Sequence, residues 1–162
     1  MPPVSPLQHM DPETHPALQR LRATMPQAIE GVSAHRDQVT VRIVKDQWIA
    51  VAQFLRDDPD CKFEMLMDLT AVDYPARPQR FDVVAHLYSL SKNHLLRIKC
   101  GVAEGDSVET LVGVWKTSNW LEREAYDMFG VDFAHHPDLR RMLLPQDWVG
   151  HPLRKDYPLA GY

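Results

Sequence analysis

The chain has 162 residues, 44% hydrophobic and 25% charged, the composition of one ordinary globular domain and not of a disordered segment. A formal net charge of -4 and a pI of about 6.0 give no basic footprint for nucleic acid. No apolar run approaches the ~18 residues of a membrane helix. The opening MPPVSPLQHMDPETHP lacks the basic and apolar regions of a secretory signal, so the chain is expected in the cytosol, reaching a membrane only through a partner.

Residues 1–15 are proline-rich and read as a flexible N-terminal arm. Pro16 suits a first helical position, and Leu18, Leu21 and Arg22 continue a short amphipathic turn that stops at Pro26. Ala28 to Val44 reads as a hairpin, with Val32 in its first run and Val39, Val41 and Ile43 alternating in its second. The turn falls near His35-Arg36-Asp37. Asp46 is placed to cap a helix running to about Asp57, because Trp48, Val51, Ala52 and Leu55 form one apolar stripe at helical spacing. Asp58-Pro59 ends it.

Three more strands follow. Glu64–Val72 is expected to turn Met65, Met67 and Leu69 to one face and Leu66 to the other. Phe81–Leu90 alternates Val83, Ala85 and Leu87 with Asp82, His86 and Tyr88. Leu96, Ile98 and Cys100 mark a strand after the Ser91-Lys92-Asn93 turn. The predicted fold class is α+β: a mixed or mostly antiparallel sheet of about five strands, covered by helices, with an extended C-terminal tail. The division is an arm (1–15), an α/β domain (16–117) and a helix, loop and tail for partner contact (118–162). Ser107–Val114 reads as a short helix with Ser107 as N-cap. Cys61 and Cys100 lie far apart with no CxxC, too few thiolates for a cluster, and read as free buried thiols.

The densest stretch is Trp120 to Pro158, which mixes aromatics, carboxylates, arginines and histidines. Asn119 and Glu122 have capping-box spacing, and Gly130 suits a left-handed C-terminal cap. The helix between them is expected to bury Leu121, Ala125, Met128 and Phe129 and to present Glu122, Arg123, Tyr126 and Asp127, with Arg123 and Asp127 as i, i+4 neighbours. Pro137 is placed to open another brief helix, through Asp138 to Leu144, showing Arg140 and Arg141. Trp148 to Pro158 reads as extended, because residues before Pro152 and Pro158 are pushed toward β geometry. Fully extended, 145–162 spans roughly 55–60 Å, beyond a domain whose diameter is roughly 40 Å. The tail is therefore expected to wrap the domain's edge and continue onto a neighbour.

Glu122, Glu124 and Asp127 could form an acid/base pair. Arg123, Arg140, Arg141, Arg154 and Lys155 supply counter-charges, which favours an interfacial ion-pair network. His135 and His136, with Asp132 and Glu124 or His151, are the weakly spaced candidates for a metal-dependent hydrolase; adjacent loop histidines point apart. No glycine-rich phosphate cradle and no G-x-S-x-G elbow is present.

The blocks EREAYDMFG, HPDLRRMLLP and WVGHPLRKDYPL, in that order, resemble the signature of the 30-kilodalton subunit family of NADH:quinone oxidoreductase, respiratory complex I. The match is strong over about 112–159 and weaker over 28–100. The resemblance implies a component without a redox cofactor or metal, in the hydrophilic arm on the cytoplasmic side of the cell inner membrane, packed against the large quinone-module subunit. FMN, iron–sulfur clusters, NADH and quinone would belong to other subunits. The positions matching the signature, expected at the partner interface, are Glu122, Arg123, Glu124, Tyr126, Asp127, Gly130, His136, Pro137, Arg140, Arg141, Trp148, Gly150, Pro152, Arg154, Lys155, Asp156, Tyr157 and Pro158. An equivalent scaffold in an energy-converting hydrogenase or plastoquinone-type complex is the nearest alternative.

Overall fold

A computed structural model describes residues 11–160. Among the described residues the strands are β1 (Ile29–His35), β2 (Gln38–Ile43), β3 (Met65–Asp73), β4 (Phe81–Ser89), β5 (His94–Val102), β6 (Ser107–Glu109) and β7 (Asp132–Ala134). The helices are α1 (Pro16–Thr24), α2 (Trp48–Asp57) and α3 (Ser118–Phe129). Five strands form one sheet in the order β1-β2-β5-β4-β3, and β6 pairs with β7 in a second. Only the β2–β5 pair of the large sheet is parallel, so the predicted mixed α+β architecture is what forms.

The β1–β2 hairpin turns where the alternation places it. Arg36 and Asp37 both take positive φ, 49° and 62°, the backbone that matches the twist of a two-residue hairpin. In α2 the predicted stripe is buried: Trp48, Val51, Ala52 and Leu55. They join Leu18 and Leu21 of α1 against Val41 and Ile43 of β2, Val83, Ala85 and Leu87 of β4, and Leu96, Ile98 and Cys100 of β5. Each large apolar side chain among them contributes about 1.5–3 kcal/mol by leaving water. Asp46 is not the helix cap; it lies inside a 3-10 turn, Lys45–Gln47, that leads into α2. Both cysteines are free and buried, and burial pushes the Cys61 thiol up to about 12.

Three further expectations are corrected. In β3 a bulge between Leu66 and Asp68 makes Met67 an extra residue. Leu66, Leu69 and Ala71 therefore share the core face, while Met65 and Met67 are exposed. Ser107 starts strand β6, not a helix, because Ser107, Val108 and Glu109 pair with Asp132, Phe133 and Ala134. No helix forms over 137–144; the chain there is held by side chains, as described below.

Of the expected N-terminal arm, residues 1–10 lie outside the described residues. Asp11 caps a 3-10 turn over Pro12–Thr14, and His15 is buried with its Nε2 donating to the Leu95 carbonyl.

Candidate functional site

α3 packs against β3 and carries two carboxylates that are both fully buried, Glu122 and Asp127. Their predicted outward orientation is wrong. Glu122 Oε1 accepts the Leu111 N–H at 2.7 Å and the Ser118 hydroxyl, and Oε2 accepts the Thr110 hydroxyl. It does not close a capping box with Asn119. Instead it ties α3 to the loop after β6. Burial pushes its carboxyl up, against the hydroxyls, the Leu111 N–H and nearby His136. The buried His136 ring donates from Nε2 to the Asn119 carbonyl at 3.1 Å and accepts the Asp138 N–H on Nδ1 at 3.0 Å.

Asp127 replaces the missing helix over 137–144. Its Oδ2 accepts the consecutive N–H groups of Met142, Leu143 and Leu144 at 3.0, 2.8 and 3.0 Å. Its Oδ1 accepts Arg141 Nη1 at 2.7 Å. Three amides converging on one anion form a nest, and a charged acceptor outcompetes the carbonyls a helix would offer. Burial raises the Asp127 carboxyl, but Arg141 and the three amides outweigh it and hold it below the usual carboxylate range. Arg141 Nη2 continues to the carbonyls of Trp148 and Gly150, each at 2.9 Å. Arg123 is not paired with Asp127; it donates to the carbonyls of Arg140 and Arg141.

Gly130 closes α3 at φ 73°, as its sequence position predicts. A Cβ there would lie 2.5 Å from Arg154 Nη2 and 2.6 Å from the His151 ring, so the position also needs glycine for close approach. His151 donates from Nδ1 to the Asp127 carbonyl.

The tail is not extended. Gly150 at φ 83° and a series of turns fold it back onto its own domain. The Leu153 N–H donates to the Met128 carbonyl at 3.0 Å, and Arg154 donates to the Phe129 carbonyl and, at 2.7 Å, to Glu104. The Lys155 N–H reaches Asp73 at 2.7 Å, and Asp156 accepts Arg80 at 2.9 Å. Neither Asp73 nor Arg80 stands out in the sequence pattern. Their opposite charges at facing ends of β3 and β4, where Asp73 pairs with Phe81, are the signal that marks them.

The remaining positions are more peripheral. Glu124 and Pro137 are exposed, and Arg140 pairs with Asp138 at the surface. The Tyr126 ring meets His151 edge-on, and Tyr157 is half-buried. His135 points to Glu109, away from His136. Among the described residues no group of three or more His, Cys, Asp or Glu side chains is arranged to hold a metal ion. Glu122 and Asp127 share no cleft, each being held by its own loop.

Beside exposed polar groups such as Glu124, Asp132, Asp147 and Lys155, the segment also shows large apolar side chains to solvent. Trp120, Leu143, Trp148, Val149, Leu153 and Leu159 are exposed, Leu143 by 59% and Val149 by 69%. A groove of about 610 Å³ runs between Trp148, Pro152, Arg154, Lys155, Tyr157 and Leu159.

Residues 41–162 match the family described as respiratory-chain NADH dehydrogenase, 30 Kd subunit. The chain is 47% identical over 150 residues to an NADH-quinone oxidoreductase subunit of Geotalea uraniireducens (strain Rf4), covering 92% of this chain and 90% of that one. It is 48% identical over 144 residues to the equivalent subunit of Roseiflexus sp. (strain RS-1), covering 88% and 83%. The solved trypsin-resistant fragment (1-134) of Nqo5 superposes with a TM-score of 0.60 at 27% identity, over 76% of this chain and 99% of the fragment. A chain of the membrane-bound sulfane sulfur reductase, an archaeal respiratory membrane complex, gives a TM-score of 0.66 at 18% identity over 88% and 84%, a likeness of fold alone.

Proposed function

The chain belongs to the respiratory-chain NADH dehydrogenase 30 Kd subunit family, as a subunit of the NADH-quinone oxidoreductase complex, and from that membership we propose that it is a brace carrying no redox group, packed against the large quinone-module subunit. On this reading it sits in the hydrophilic arm, on the cytoplasmic side of the membrane, and touches the bilayer only through the complex. No helix among the described residues is long and apolar enough to cross a membrane.

One observation carries the proposal. The carboxylates and arginines of the 118–160 segment hold its own backbone in place, while large apolar side chains face out. Rigid loops that display Leu143, Trp148 and Val149 suit a protein partner, since interface anchors are apolar side chains on a pre-ordered frame. The polar signature residues act from behind: they set the shape of the surface, and the apolar ones meet the partner. Electron transfer from NADH through flavin and iron–sulfur clusters to quinone belongs to other subunits, and this chain fixes the packing around that path.

The test is affinity purification of the native chain with identification of what accompanies it. The large quinone-module subunit and other hydrophilic-arm subunits are the expected companions. A chromophore or paramagnetic centre on the isolated chain, or turnover by it alone, would overturn the proposal.

A further inference from the structure

We propose that Arg80, which lies outside the 118–160 segment, is the positioning residue that orders the groove-forming tail for its partner. The inference rests on the reading above for the partner's identity. Arg80 ends the loop before β4. Its Nε and Nη2 fork onto the two oxygens of Asp73 at 2.8 and 3.0 Å, and that carboxylate is fully buried. The same guanidinium reaches Glu104 with Nη1 and Asp156 with Nη2, each at 2.9 Å. One cation thus joins the end of β3, the loop after β5 and the tail.

Asp73, held in this way, accepts the Lys155 N–H. Lys155 and Asp156 are therefore fixed by a single buried pair. Arg154 meets the same Glu104 from the other side. Arg154 and Lys155 line the groove together with Trp148, Pro152 and Tyr157, a stretch with neither helix nor strand to define it. Only a planar, five-donor side chain serves three carboxylates at these distances, and a lysine cannot form the fork. Arg80 is not among the residues lining the groove; it acts through Asp73 and Asp156.

The experiment uses the full chain with the co-expressed large quinone-module subunit as the probe, and the variants Arg80→Lys, Asp156→Ala and the pair. Asp156 is exposed, so its variant keeps the fold. Hydrogen exchange at the Lys155 amide should accelerate about tenfold or more in Arg80→Lys, with the β4 and β5 amides unchanged. Capture of the large subunit should weaken by about tenfold or more, and the double variant should be little weaker than Arg80→Lys alone, because both changes release one element. Native protection at Lys155 in Arg80→Lys overturns the inference. So does fast exchange with undiminished capture, and so do effects of the two substitutions that simply multiply, the mark of a general structural role. A wild-type chain that never captures the large subunit sinks the proposed function instead, and the exchange result alone then decides whether Arg80 orders the tail.

Discussion

Replacing Asp127 with alanine removes the acceptor of three consecutive amides and the partner of Arg141 in one step. The Asp127 carboxylate is fully buried but the loop it holds is partly exposed, so water takes over those four bonds only in part. A hydrogen bond to a charged group contributes about 1.5–3 kcal/mol, but four bonds to one carboxylate are not additive. Breaking a buried ion pair from one side costs about 3–5 kcal/mol, and that is the expected loss. For a chain of this size each kcal/mol lowers the melting temperature by about 2–4 °C, so the shift should be on the order of 10 °C. Asp127→Asn is the sharper probe. It keeps one carbonyl for the nest but sets an amide donor against Arg141, so most of the loss should persist. Thermal unfolding followed by circular dichroism measures the shift, and hydrogen exchange at Met142, Leu143 and Leu144 reports the loop directly. An Asp127→Ala chain that melts within about 2 °C of wild type, with those three amides still protected, would refute the nest as the organiser of this loop.

Gly130→Ala should cost about 2–3 kcal/mol, from positive φ and from the approach of Arg154 and His151, and Gly130→Asn should be no better, because it relieves only the backbone; urea midpoints separate the two. Trp148→Ala and Leu143→Ser should leave the stability read from urea unfolding within about 0.5 kcal/mol of wild type yet weaken capture of the large quinone-module subunit by about tenfold or more. Asp73 and Asp127 titrate below the ordinary carboxylate range, Asp73 through its bonds to Arg80. Their stabilisation is present above the unfolded carboxylate pKa and is lost as pH falls through the lower folded values, so the stability advantage of wild type over Asp127→Asn should narrow as pH falls through that range. Glu122 has the opposite sign: its folded pKa is raised, so its contribution fades as pH rises above the unfolded value of 4.5. Glu122→Gln should therefore gain on wild type between acid and neutral pH, and a constant difference across that range would contradict the assignment.

Elements whose partners lie close in sequence were legible from periodicity. The β1–β2 hairpin, the α2 stripe and the alternation of β4 and β5 all appear where apolar residues recur with period 2 or 3.6. Elements decided by distant partners were not. Val108, Leu111 and Val114 imitate a helical spacing, but β6 is a strand because its partner β7 lies beyond the whole of α3. The 137–144 stretch has a proline start and arginines suited to a helix, yet its amides turn to a carboxylate on α3. Glu122 has capping-box spacing, and two hydroxyls and an amide hold it instead. In β3 one inserted residue, Met67, exchanges the two faces. The same limit applies to the site. Charge density drew attention to 118–160, but sequence could not give the direction of each carboxylate. Leu143, Val149 and Leu153, apolar residues in a turn-rich stretch without periodicity, drew no notice although they are exposed.

The pinning of the tail also bears on when the outer surface comes into being. Its anchor points, Asp73, Arg80 and Glu104, precede their tail partners by 82, 76 and 50 residues. A ribosome releases the sheet and its helices first, and the sticky rim can be shaped only once that platform exists to receive it. The order of synthesis thus acts as a timer: the exposed tryptophan and leucine of this stretch take their places only after the sheet that holds them has emerged, which shortens the interval for unwanted association.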